Sequence, residues 1–141
     1  MNNMKRKEPK YKYSHVMLID DNELDNFINE KILEANHFAN KIYVSTSAKS
    51  ALEFLNNILT MGDDYAGTYP QVIFVDINMP IMDGFQFIEY HKKNLEEKMK
   101  RPKIVILTSS VYHEDKQKAS EISGDIVFLN KPLTQAMLDT L

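Results

Sequence analysis

The chain has 141 residues, of which 43% are hydrophobic and 26% are charged, and its formal net charge is −3. This length and this balance are typical of one soluble globular domain of ~100–200 residues. The absence of cysteine excludes disulfides, thiolate zinc sites and a cysteine nucleophile.

The positive charge is concentrated at the start of the chain. Residues 1–12 carry five lysine or arginine residues against one glutamate, so residues 13–141 are acidic. We expect residues 1–12 to form a basic, disordered and solubilising tail, although such a tail can also contact an acidic surface. Residues 13–141 are expected to form a single domain, and its acidic charge argues against nucleic acid as a partner.

The cellular location is also constrained by what the sequence lacks. No apolar run has the length of a transmembrane helix or follows the basic start as a signal peptide would. Together with the absence of cysteine, this favours a cytoplasmic protein without a membrane partner.

Five short apolar runs predict β-strands. The runs are continuous rather than alternating, which is typical of parallel strands that are covered on both faces. In chain order they are residues 16–19, the weaker run 41–44, and residues 72–75, 104–107 and 126–129.

Amphipathic stretches with helical spacing separate these strands and follow the last one. They lie at residues 24–32, 51–59, 85–91, 113–122 and 134–141, with Thr46, Ser47 and Thr134 as possible N-caps. The long polar segment 60–69 is predicted to be a loop. The alternation of strands and helices predicts a three-layer α/β fold, a doubly wound five-stranded parallel sheet with right-handed crossovers.

Polar side chains follow four of the five predicted strands. The segments are Asp20-Asp21-Asn22, Asp76-Ile77-Asn78-Met79-Pro80, Thr108-Ser109-Ser110 and Asn130-Lys131-Pro132. In an open parallel sheet, ligands bind at the carboxyl ends of the strands. We therefore expect three carboxylates, a hydroxyl and an ammonium group to converge at one edge of the sheet.

The chemistry of this cluster limits what it can hold. Three neighbouring carboxylates repel one another unless a cation lies between them. Mg²⁺ is favoured because it needs only one or two carboxylates and keeps waters that a phosphate can replace. Taken singly, Asp20 or Asp21 is more often a helix cap, and Lys131 is more often solvated. Their shared position favours a site that holds a phosphoryl group beside a carboxylate nucleophile.

The same segments resemble the receiver domain of two-component response regulators. The motifs LIDDN at 18–22, VDINMPIMDG at 75–84, ILTSS at 106–110 and FLNKPL at 128–133 agree with that family in order and spacing. The resemblance covers residues 15–135 and implies a (βα)5 flavodoxin-like fold with strand order 2-1-3-4-5. It also implies a stand-alone switch or relay that receives a phosphoryl group from a sensor histidine kinase or a histidine phosphotransfer protein. Its downstream protein partner is unknown.

The resemblance implies a nucleophile and a metal site. Asp76 would be the phosphoacceptor, whose carboxylate attacks the phosphorus of a phosphohistidine. Asp21, Asp76 and the main-chain carbonyl of Asn78 would hold Mg²⁺ directly, and Asp20 would hold it through a bound water.

The resemblance also implies a switch. Lys131 would neutralise a phosphoryl oxygen and Thr108 would donate a hydrogen bond to the attached group. Phe128 stands where the family has its aromatic switch residue and would turn inward when Thr108 moves. Gly84 would permit a tight turn, and Pro132 implies a cis peptide bond that directs the ammonium group into the site.

Two alternatives stay open at this point. A phosphatase of the haloacid-dehalogenase type also uses an Asp after a parallel strand, but it needs a second Asp where this chain has Asn78, and the chain has no room for a cap domain. A degenerate receiver would bind partners without being phosphorylated, although the positions that carry the chemistry are intact. The leading expectation is a protein that is not an enzyme beyond its own phosphorylation and dephosphorylation.

Overall fold

Five parallel strands form one sheet in the computed structural model, which describes residues 10–96 and 101–141. The strands are β1 (Tyr13–Ile19), β2 (Ala39–Ser45), β3 (Val72–Val75), β4 (Lys103–Thr108) and β5 (Val127–Asn130). Their order is β2-β1-β3-β4-β5, and every neighbouring pair is parallel. This confirms the predicted doubly wound sheet and its strand order. Residues 1–9 of the predicted basic tail lie outside the described residues.

Helices connect successive strands and follow the last one. They are α1 (Glu23–Ala35), α2 (Ala48–Thr60), α3 (Gly84–Asn94), α4 (His113–Ile122) and α5 (Gln135–Asp139). Two of the three predicted caps are confirmed: Ser47 accepts a hydrogen bond from the Ser50 N–H, and Thr134 accepts one from the Met137 N–H. Thr46 precedes the N-cap of α2 and is not the cap.

The prediction of a plain loop at residues 60–69 is wrong. Thr60 is the last residue of α2, and Asp63–Thr68 form a 3-10 helix. The Tyr65 N–H donates to the Gly62 carbonyl oxygen at 3.1 Å, which closes the first turn. Since this segment has no apolar periodicity, nothing in its hydrophobic pattern indicated a helix.

The core consists of two apolar layers, one on each face of the sheet. Met17 and Ile19 face a cluster formed with α2 and α3, whereas Val16 and Leu18 face a cluster formed with α1 and α5. Successive strand residues point to opposite faces, so a strand covered on both faces must be apolar throughout. This packing explains the continuous apolar runs and leaves the strand ends as the place where polar chemistry can lie.

Candidate functional site

The three predicted carboxylates meet at the carboxyl edge of the sheet. Asp20 follows β1 and Asp76 follows β3, and these two strands are paired so that Ile19 lies opposite Val75. One oxygen from each of Asp20, Asp21 and Asp76 lies within 4.8 Å of the others. Asp20 and Asp76 are buried and Asp21 is exposed, so the cluster opens to solvent on one side.

Lys131 brings the ammonium group into this cluster from the loop after β5. Its Nζ lies 2.5 Å from Oδ2 of Asp20 and 3.1 Å from Oδ2 of Asp76. The Lys131–Pro132 peptide bond is cis, as the resemblance implies. The same nitrogen lies 2.9 Å from Oδ2 of Asp25, a residue that the sequence analysis did not single out. The available signal was an acidic residue in the first turn of a helix that starts at the same edge of the sheet.

The electrostatics of the cluster show an excess of negative charge. Burial raises the pKa of Asp20, even though hydrogen bonds from Lys131 and from the Asn22 N–H act in the opposite direction. Burial alone would lower the pKa of Lys131, but its hydrogen bonds to Asp20 and Asp25 and the charge of Asp76 raise it well above its usual value. Lys131 is therefore protonated, yet a single ammonium group faces several carboxylates. A further cation would relieve their repulsion.

The N-cap of α1 is Asn22, so neither Asp20 nor Asp21 is the helix cap. The Oδ1 of Asn22 accepts a hydrogen bond from the Asp25 N–H at 3.0 Å. The Asn22 N–H in turn donates to Oδ1 of Asp20 at 2.9 Å. The Nδ2 of Asn26 donates to the main-chain oxygen of Asp20 at 2.8 Å. The bond from Asn22 holds the Asp20 carboxylate, and the bond from Asn26 holds its backbone.

Thr108 ends β4 and its side chain is fully buried. Its Oγ1 accepts a hydrogen bond from the Ser110 N–H at 3.2 Å. Its carbonyl oxygen accepts the N–H of Lys131 at 2.9 Å, which ties the end of β4 to the loop that carries the ammonium group. The role of Thr108 toward a phosphoryl group stays a prediction.

Phe128 lies on β5, in register with Ile106 of β4. The ring is half-buried and packs against the apolar cluster on the α2 and α3 face. The ring is thus neither fully buried nor fully exposed, and its switching role stays a prediction.

The structure shows a steric reason for a glycine at position 84, which differs from the predicted tight turn. It is the first residue of α3, and a Cβ at this position would lie 2.3 Å from the Asp76 carbonyl oxygen and 2.7 Å from Cα of Ile77. The positive backbone angle of this connection belongs to Ile81, whose φ is 72°. Gly84 therefore allows α3 to contact the backbone that carries Asp76.

A further cavity among the described residues lies away from the carboxylate cluster. A cavity of about 370 Å³ opens at the opposite edge of the sheet, where His91, Arg101 and Ile126 contribute to its wall. It shares no residue with the carboxylate cluster.

No helix among residues 10–96 and 101–141 is long and apolar enough to cross a membrane.

Comparison with known proteins identifies the family. The family model described as the response regulator receiver domain matches residues 16–141. The chain belongs to this family, whose members act in two-component signalling.

Two relatives differ in how much of their own length the match covers. The hybrid signal transduction histidine kinase L of Dictyostelium discoideum is 30% identical over 131 residues, which are 92% of this chain but 7% of that protein. The chain thus spans a small part of the length of this relative. The crystal structure of a two-component response regulator from Cytophaga hutchinsonii is 32% identical with a TM-score of 0.78, and the match covers 90% of this chain and 92% of that one.

A third comparison concerns the fold alone. The receiver domain of the histidine kinase CKI1 from Arabidopsis thaliana, crystallised in complex with Mg²⁺, is 23% identical with a TM-score of 0.75. The match covers 87% of this chain and 86% of that chain.

Proposed function

We propose that this protein accepts a phosphoryl group on Asp76 from the phosphohistidine of a sensor histidine kinase or of a histidine phosphotransfer protein. The observation that carries the proposal is the contact of the buried Asp76 carboxylate with Lys131, inside a cluster of further carboxylates. We propose that it acts in the cytoplasm as a switch or relay for a downstream protein. It is not an enzyme that acts on a separate substrate.

The chemistry follows from the position of these groups. A carboxylate oxygen of Asp76 attacks the phosphorus, a P–O bond forms, and the P–N bond to the imidazole breaks. The electron pair of that bond returns to the imidazole nitrogen. Lys131 lies 3.1 Å from Oδ2 of Asp76, where it can neutralise an oxygen of the transferred group. The N–H of Asn78 faces Oδ1 of the same carboxylate at 3.4 Å.

The acidic cluster fits a divalent metal ion. Its donors are the carboxylate oxygens of Asp20, Asp21 and Asp76, which are the ligand type that Mg²⁺ prefers. We propose that these residues and the main-chain carbonyl of Asn78 hold Mg²⁺, with Asp20 acting through a water. Bound Mg²⁺ would supply positive charge to the oxygens of a transferring phosphoryl group. The fold relative that was crystallised with Mg²⁺ supports this choice of ion.

Exposed apolar side chains lie at the start of α1 and in the segments after β3 and β4, at the edge of the sheet that carries the site. Leu24 and Phe27 on the first turns of α1 are 66% and 56% exposed, and Ile81 after β3 is fully exposed. Val111 and Tyr112 after β4 are exposed as well. A protein that presents a phosphohistidine to the buried Asp76 has to approach this edge of the sheet. We propose that the phosphoryl donor docks there.

Removal of the Asp21 carboxylate should weaken Mg²⁺ binding without destabilising the fold. We expect Asp21→Ala to weaken Mg²⁺ binding by at least about tenfold and to slow phosphorylation, because a charged oxygen ligand is lost. It should also make the metal-free protein more stable, since one of the repelling carboxylates is gone. Titration calorimetry measures the affinity, and Glu23→Ala removes a nearby exposed carboxylate as a control. Unchanged Mg²⁺ affinity in Asp21→Ala would contradict the ligand role.

Thr108 is expected to couple phosphorylation to the Phe128 ring. Thr108→Ala should leave phosphorylation largely intact but remove the response of the ring, because no hydroxyl moves toward the phosphoryl group. Burial of one large apolar side chain contributes about 1–3 kcal/mol, enough to shift two populations without fixing one. Fluorine NMR of labelled Phe128 tests this, with Ser109→Ala as the control. An identical shift on phosphorylation with and without Thr108 would refute the coupling.

The proposed function is tested by incubation with acetyl phosphate and Mg²⁺, followed by intact-mass measurement. A switch should gain one phosphoryl group and keep it long enough to be observed. Rapid hydrolysis of unrelated phosphoesters would instead indicate a phosphatase. No adduct under any metal condition would indicate a binding module that is not phosphorylated.

A further inference from the structure

A fourth carboxylate lies at the site without belonging to the acidic group that fits a metal ion. Oδ2 of Asp25 lies 2.9 Å from Nζ of Lys131, the nitrogen that also contacts Asp20 and Asp76. The acidic group consists of Asp20, Asp21 and Asp76. Asp25 therefore reaches the site through Lys131.

The fold places Asp25 nearer the solvent than its partners. It lies in the first turn of α1, where its N–H donates to the Asn22 cap at 3.0 Å. Its side chain is 34% exposed, whereas the side chains of Lys131 and Asp76 are 11% and 7% exposed. Asp25 is thus the most solvent-exposed of the three carboxylates that contact Lys131.

The three carboxylate contacts leave Lys131 with no spare donor. An ammonium group has three N–H bonds, and Asp20, Asp25 and Asp76 are all within hydrogen-bond distance of this nitrogen. A phosphoryl group adds about two negative charges that also require this ammonium group. The fixed charge of Asp25 repels the new group and competes with it for the same donor.

We propose that Asp25 is a positioning residue that shares Lys131 with the phosphoryl group and thereby limits the stability of phosphorylated Asp76. The inference rests on the proposed function of Asp76 and adds a residue that sets how long the signal lasts. Without the Asp25 charge, the Lys131 ammonium group should interact more strongly with the phosphoryl group.

The test compares variants that differ by one charge. Asp25→Asn removes the charge but keeps an oxygen that can accept a hydrogen bond from Lys131. Glu23→Gln removes a charge from the same helical turn, at an exposed residue that is not in contact with Lys131. Each protein is titrated with beryllofluoride in the presence of Mg²⁺, and the loss of the phosphoryl group is followed by mass after charging with acetyl phosphate.

We expect Asp25→Asn to bind beryllofluoride about fivefold more tightly and to lose its phosphoryl group about fivefold more slowly, given the typical strength of an interaction between partly exposed charges. Glu23→Gln should stay within about twofold of the wild type, and Asp25→Glu should restore the wild-type lifetime. The ¹⁵N resonance of the Lys131 ammonium should shift in Asp25→Asn and not in Glu23→Gln.

Different results would separate this inference from the function on which it rests. Weaker or unchanged beryllofluoride binding in Asp25→Asn, while the wild type binds it and is phosphorylated, would overturn the role of Asp25 and leave the function intact. A wild-type protein that neither binds beryllofluoride nor gains a phosphoryl group would overturn both. Asp25→Ser removes the same charge and must change the affinity in the same direction.

Discussion

Replacement of Asp76 by Asn should lower phosphorylation by at least about a hundredfold, because an amide cannot attack phosphorus as a carboxylate does. The substitution preserves the shape of the side chain and one oxygen that can accept the Asn78 N–H, which now donates to Oδ1 of Asp76 at 3.4 Å. The fold should therefore be retained. Intact mass after incubation with acetyl phosphate and Mg²⁺ measures the effect.

A matched control separates this nucleophile from the other carboxylates. Asp64 lies on the exposed 3-10 helix, away from the site, so Asp64→Asn should be phosphorylated as fast as the wild type. Phosphorylation of Asp76→Asn at the wild-type rate and stoichiometry would show that another residue accepts the group.

Substitution of Gly84 by Ala should damage the site without changing any group that takes part in the chemistry. The new Cβ would lie 2.3 Å from the carbonyl oxygen of Asp76. Because the colliding atom is backbone, α3 or the chain after β3 has to move, and overpacking of this kind costs about 1–3 kcal/mol of folding free energy. The shift should also displace the Asp76 carboxylate from Lys131, so we expect phosphorylation to slow by about tenfold or more.

The control for Gly84→Ala is another glycine with free space around it. A Cβ on Gly124 would meet nothing within 4 Å, so Gly124→Ala should keep the wild-type stability and phosphorylation rate. Thermal unfolding and the initial rate of phosphorylation are measured on both variants. Equal unfolding temperatures and equal rates for Gly84→Ala and Gly124→Ala would contradict the role of the close approach.

The strand ends of the site could be predicted from the sequence because a parallel sheet has one carboxyl edge. Once residues 16–19 and 72–75 were recognised as buried parallel strands, Asp20 and Asp76 had to emerge at the same edge of the sheet. That these two strands are neighbours was implied only by the resemblance to the receiver family. The structure pairs Ile19 with Val75 and brings the two carboxylates together. Lys131 follows from the same reasoning applied to the last strand.

Other parts of the site depend on contacts that no local pattern specifies. An acidic residue in a first helical turn is common because it interacts favourably with the helix dipole, so the place of Asp25 at this edge of the sheet was too weak a signal to predict its contact with Lys131. Gly84 was singled out from the sequence, but the reason that excludes a side chain there is visible only when α3 lies against the backbone of Asp76. The 3-10 helix at Asp63–Thr68 is polar and short, and its turns are closed by local hydrogen bonds rather than by apolar packing.

The central claim is that Asp76 is the phosphorylated residue, and chemical identification of the acyl phosphate tests it most directly. Protein charged with acetyl phosphate and Mg²⁺ is reduced with sodium borohydride, which converts a phosphorylated aspartate to homoserine, and is then digested and sequenced by mass spectrometry. We predict homoserine in place of Asp76, with Asp20, Asp21 and Asp25 recovered unchanged. Homoserine in place of any of those three residues, with Asp76 intact, would contradict the account.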